Sequence, residues 1–90
     1  MKNRFYAMVD SCGSRTISQC WDRENHCYDS SLVASTLVSG SSGERVMLRF
    51  FLGVWLHQNL FNFDLFDGLA ALDETNRAII VNWANDPFYP

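Results

Sequence analysis

The stretch from Glu44 to Gln58 leaves this chain little choice about what it becomes. Read at a spacing of four, three of its rows are apolar: Leu48, Leu52 and Leu56; Val46, Phe50 and Val54; Met47, Phe51 and Trp55. The fourth row holds Arg45, Arg49, Gly53 and His57. A helix that is apolar over roughly three-quarters of its circumference has to be largely buried, so the rest of the chain must wrap it. Ser41 and Glu44 stand at capping-box spacing, with the serine oxygen placed to take the N3 amide and the glutamate to reach back. Gly53 interrupts the basic stripe and leaves a gap that another backbone or side chain can approach.

Beyond this helix the signals stay helical. Leu60 to Phe63 reads as an aromatic loop. Asp64 is placed to cap a short helix carrying Leu65, Leu69 and Leu72 at i, i+4 and i+7. Asp73 is placed to cap a last helix, Glu74 to about Ala84, with Glu74 near the positive end of its dipole and Ile79, Ile80 and Trp83 as its buried face. Pro87 stops it, because proline disfavours helical geometry at the preceding residue. Phe88 and Tyr89 form an aromatic tail expected to fold back on the body.

Ahead of the long helix the pattern reads as strands. Phe5 to Val9 is a short, wholly apolar, aromatic-rich run that suits a strand covered on both faces. Ser11 to Ser14 reads as a turn through Gly13. Arg15 to Trp21 then puts Ile17, Gln19 and Trp21 on one strand face, which makes a hairpin. Asp22 to Asn25 reads as a loop or second turn. Leu32 to Val38 has the β-branched content of a third strand, although Asp29-Ser30-Ser31 could instead cap a helix there. Ser39 to Gly43 is a connection inside one body. The expectation is an α+β fold: a small N-terminal antiparallel sheet of two to three strands packed on two to three C-terminal helices, residues 1–90 forming a single compact domain.

Composition supports a folded chain. Of 90 residues 48% are hydrophobic, with 3 Trp and 7 Phe, and only 19% are charged, the reverse of a disordered composition. The longest apolar stretch, Val46 to Leu56, is broken by Arg49 and is shorter than the ~20 residues of a membrane span. Three cysteines, Cys12, Cys20 and Cys27, make a poor disulfide framework, and the five apolar residues after Met-Lys-Asn-Arg are too few to be expected to act as a secretory leader. These features favour a reducing, cytoplasmic setting.

Catalytic and cofactor signatures are weak, so no enzyme activity, cofactor or metal is expected. Cys12, Cys20, His26 and Cys27 could supply three sulfurs and a nitrogen to zinc, but their spacings lack the close pairs that structural sites use. Cys20 or Cys27 with His26 or His57 has the parts of a nucleophile–base pair, without an elbow or an oxyanion loop around them. Gly40 to Gly43 precedes a helix, but no lysine follows to hold a phosphate.

Charge is unevenly placed. Six of the seven basic residues lie in the first 49 positions; after them stand Asp64, Asp67, Asp73, Glu74 and Asp86 against Arg77 alone, a balance of −4. The net charge of −3 counts against nucleic-acid binding. The function expected is therefore a non-enzymatic protein-interaction module whose acidic helical face meets a basic protein surface. Asp64, Asp67, Glu74, Trp21 and Tyr89 are the candidate contact residues. In size and charge the chain is similar to phage or mobile-element inhibitors of bacterial defence complexes, the anti-CRISPR format, with no motif behind the likeness. The alternative is a homodimeric accessory subunit, joined through a sheet edge or the Phe61/Phe63 loop. A nucleic-acid binder using Arg4, Arg45, Arg49 and His57 stands third.

Overall fold

A computed structural model describes all residues, 1–90. The protein is mostly helical: α1 (Lys2–Ser11), α2 (Arg15–Ser18), α3 (Ser30–Ser39), α4 (Ser42–Leu56), α5 (Leu65–Ala71) and α6 (Glu74–Asn85), with one small antiparallel sheet of β1 (Trp21–Asp22) and β2 (Cys27–Tyr28) between α2 and α3. Trp21 pairs with Tyr28 and Asp22 with Cys27.

α4 is the axis of the fold. Its capping box forms as the spacing predicts: Ser41 Oγ accepts from the Glu44 amide at 3.2 Å, and the Ser41 amide donates to Glu44 Oε1 at 3.1 Å. Six of its residues, Met47, Leu48, Phe50, Phe51, Leu52 and Val54, enter a single cluster of 17 buried apolar side chains. Ring contacts join it to its neighbours: Phe51 and Trp55 to Phe5 of α1, and Phe50 to Trp83 of α6. α5 approaches through Gly68, where an added Cβ would lie 3.1 Å from Val46 Cγ1 and 3.3 Å from the Phe63 ring.

The sheet is smaller than expected and lies elsewhere. Phe5–Val9 is the middle of α1. Phe5, Tyr6 and Val9 are buried while Ala7 is exposed, so one helical stripe faces the core and the run is not covered on both sides. No hairpin turns at Gly13. Ser14 instead caps α2, its Oγ accepting from the Ile17 amide at 3.2 Å, and Ile17, Cys20 and Trp21 are buried at i, i+3 and i+4. Gln19, placed with Ile17 and Trp21 by the strand reading, is exposed.

Leu32–Val38 belongs to α3. Asp29 caps it, its Oδ1 accepting from the Leu32 amide at 3.0 Å. Thr36 donates its hydroxyl to the Leu32 carbonyl, and Ser39 to that of Ser35. The Asp29 cap and the burial of Val33 and Thr36 on one face outweigh the β-branched residues' preference for a strand, and the hydroxyls find partners in the preceding turn. The two helices after α4 start where the aspartates predict. Asp64 accepts from the Asp67 amide, Asp73 accepts from the Asn76 amide, and α6 ends at Asn85 before Asp86-Pro87. Helices thus lie on both sides of the small sheet in sequence, and do not follow it as one C-terminal block.

Candidate functional site

α5 carries the most exposed apolar side chain among the helices. It opens with Asp64-Leu65-Phe66-Asp67. Asp64 must cap, so its side chain folds back on the amide of Asp67 at 2.9 Å. The helix packs on α4 through Gly68 and reaches the core with Leu72. Phe66, two positions before Gly68, falls on the opposite side and is 85% exposed, while Leu65 at the helix start is 47% exposed. Asp64 and Asp67 flank them, both exposed. The two carboxylates line a shallow hollow of about 140 Å³ with Arg49. Arg49 does not pair with them: its Nε donates to the Phe61 carbonyl at 3.0 Å, and the molecule's two ion pairs lie elsewhere, Arg4–Asp86 and Arg23–Asp10. The result is an exposed phenylalanine flanked in sequence by two exposed carboxylates that form no direct ion pair.

The expected contact residues are only partly brought together. Asp64 and Asp67 share this face. Glu74 is exposed in the first turn of α6. Tyr89 is partly exposed on the tail, its ring stacked on His57 at a centroid distance of 3.7 Å. Trp21 is not a surface residue: it is 5% exposed, held among Phe5 and Trp55, and its Nε1 has no hydrogen-bond partner. As the first residue of β1 it faces the core, with Asp22 turned to solvent. Phe66 was missed because the apolar spacing of Leu65, Leu69 and Leu72 implied a buried leucine face. Gly68, a residue without a side chain, is what marks the face that packs.

A second feature lies where α4 ends. Leu60 is exposed, but Phe61 packs edge-on to Tyr28 and Phe63 against Phe50. Asn59 holds this loop by exchanging two hydrogen bonds with the Phe63 backbone, at 2.7 and 3.0 Å. Between the loop, α4 and the tail runs a cleft of about 310 Å³ lined by aromatic rings.

The other candidate chemistry does not assemble. No group of three or more His, Cys, Asp or Glu side chains is placed to hold a metal ion, so Cys12, Cys20, His26 and Cys27 are not gathered into one site. All three cysteines are free. Burial pushes the thiols of Cys12 and Cys20 up, which keeps them protonated near neutrality and makes them poor nucleophiles. His26 is bonded through Nδ1 to the Tyr6 hydroxyl at 2.9 Å. Of the basic residues proposed for nucleic acid, Arg4 is paired with Asp86 and Arg49 with the Phe61 carbonyl. No helix is long and apolar enough to cross a membrane. No protein-family model, no curated protein and no solved structure matches the chain.

Proposed function

We propose that the chain is a non-enzymatic protein-interaction module that docks on a basic surface of a partner protein through the exposed turn of α5. The observation that carries this reading is Phe66, 85% exposed on a well-capped helix between two unpaired carboxylates. A large ring left in water is an anchor available for burial, and burying one gains roughly 1.5–3 kcal/mol. Charges at the rim govern encounter and partner choice more than final affinity. Asp64 and Asp67 fill that rim role, with Glu74 adding to the field. Tyr89 is the remaining exposed candidate, at the far end of the tail.

In its finer form the proposal is a cytoplasmic inhibitor of a bacterial defence complex, of the anti-CRISPR kind. There an acidic face would compete for a basic channel that otherwise holds nucleic acid. Size and the acidic C-terminal half support that form. Homodimerisation through a sheet edge or the Phe61/Phe63 loop has less to work with. Each strand is two residues long, and both phenylalanines are half-buried against other rings.

The test compares wild type with Phe66→Ser and with the double change Asp64→Asn, Asp67→Asn, which removes charge but keeps a capping side chain. Each is incubated with bacterial lysate and examined by native mass spectrometry at low and moderate salt. The expected result is a defined complex for wild type. Phe66→Ser should lose it at both salt concentrations, the double variant should weaken it most at low salt, and melting temperatures should stay within about 3 °C of wild type. A complex that survives both changes removes α5 as the docking face.

A further inference from the structure

Gly53 lies on the helix that everything else packs around, yet nothing in the chain fills the space beside it. A Cβ built there meets only the Gln58 carbonyl oxygen, at 3.9 Å. That space opens into the cleft of about 310 Å³. Five rings run along it in unbroken contact: Phe63 to Phe50 at 5.5 Å, Phe50 to Trp83 at 5.5 Å, Trp83 to Tyr89 at 5.7 Å, and Tyr89 to His57 at 3.7 Å. Not one Asp, Glu, Lys or Arg is among the lining residues.

The polar groups sort into those already used and those left over. Both ends of the Asn59 amide are bonded to the Phe63 backbone, and the Trp83 indole N–H donates to the Phe88 carbonyl at 3.0 Å. The His57 imidazole and the Gln58 amide lie at the cleft and hold no such bond, which leaves them to meet the edge of a guest.

We propose that this cleft is a binding site for a small, uncharged, planar aromatic compound of one or two fused rings with a polar edge. Its size is at the small end of ligand clefts, which run from roughly 300 Å³ upward. Ring faces and edges at these separations reward offset and edge-to-face contact with another ring, beyond simple area burial. A charged guest would shed water with no counter-charge to replace it. The His57–Tyr89 pair already shows a planar ring stacked at this position. The cleft is lined by no residue of α5, although Phe63 borders both it and the Asp64–Asp67 hollow, and the proposal does not rest on the docking reading.

Indole is a suitable probe, followed by amide and indole N–H resonances in a nitrogen–proton NMR titration, with tetramethylammonium and benzoate as charged comparators. The expected result is saturable shifts with indole at the Gly53 amide and the Trp83 side-chain N–H, and none with either ion. Gly53→Ala should weaken indole modestly and Gly53→Leu by about tenfold or more, both keeping the helical circular-dichroism spectrum. Alanine guards against a leucine that disturbs the fold. Absence of saturation with indole, equal shifts in wild type and Gly53→Leu, or tighter binding of tetramethylammonium than of indole would each overturn the proposal.

Discussion

His57 ends α4 in a left-handed conformation (φ 56°), where glycine is the usual residue. The amides of His57 and Gln58 donate to the carbonyls of Val54 and Gly53, which closes the last turn in a Schellman arrangement. The backbone cost of a side chain there, on the order of 1 kcal/mol, is offset by the Tyr89 ring stacked on it. Gly40, just before this helix, and Gly53, inside it, make opposite demands. At Gly40 a Cβ would stand 2.6 Å from the Thr36 carbonyl oxygen, a backbone atom that cannot swing aside. Gly53 is open. Gly40→Ala should therefore lower stability by about 1–2 kcal/mol, while Gly53→Ala should leave it unchanged or raise it by up to about 1 kcal/mol through helix propensity. Urea unfolding of both variants beside wild type checks the contrast, and equal effects would mean that the Thr36 contact is not what fixes glycine at 40.

At the scale of elements, capping decided what the apolar pattern left open. Asp29→Ala should cost about 1 kcal/mol and fray α3 from its start, read as lost amide protection over residues 31–34 in hydrogen exchange. Protection unchanged there would show that packing of Val33 and Thr36 holds the helix without its cap. The C-terminal half was legible for the same reason. Ser41, Glu44, Asp64, Asp73 and Pro87 are start and stop signals, and each sits where a helix begins or ends. The first third was not legible. Phe5–Val9 and Arg15–Trp21 are too short for period two and period 3.6 to separate, and tertiary burial made the choice. Ser14 was the overlooked signal, a cap read as part of a turn. The candidate site divides similarly. Asp64 and Asp67 were visible as charge, whereas the exposure of Phe66 depends on α5 turning Gly68 toward Val46, a contact between distant segments that no local pattern encodes.

For the whole molecule, titration should bound the stable range from both sides. Asp10 is held below the usual carboxylate range by the Arg23 guanidinium, and Glu44 by the Ser14 hydroxyl, at 2.7 Å, and the Ser41 amide. Carboxylates depressed in the folded state contribute stability that is present above about pH 4 and lost as pH falls further. Burial raises Cys12, Cys20 and Tyr6. Groups raised in the folded state contribute stability that is whole below their unfolded values, about 8.5 for thiols and 10 for tyrosine, and lost as pH climbs through the higher folded ones. Urea midpoints measured from pH 2.5 to 10.5 should form a plateau with two falling limbs. Glu44→Gln should lower the plateau and flatten the acid limb. An acid limb as steep as wild type in that variant would place the acid sensitivity in other carboxylates.

Arg4 pairs with Asp86, lies over the Phe88 ring at 4.3 Å from its centre, and so ties the first helix to the last residues across 82 positions of chain. Closing a loop of that span carries a high entropic cost. If the clasp forms late in folding, weakening it by Arg4→Ala is expected to speed unfolding more than it slows folding.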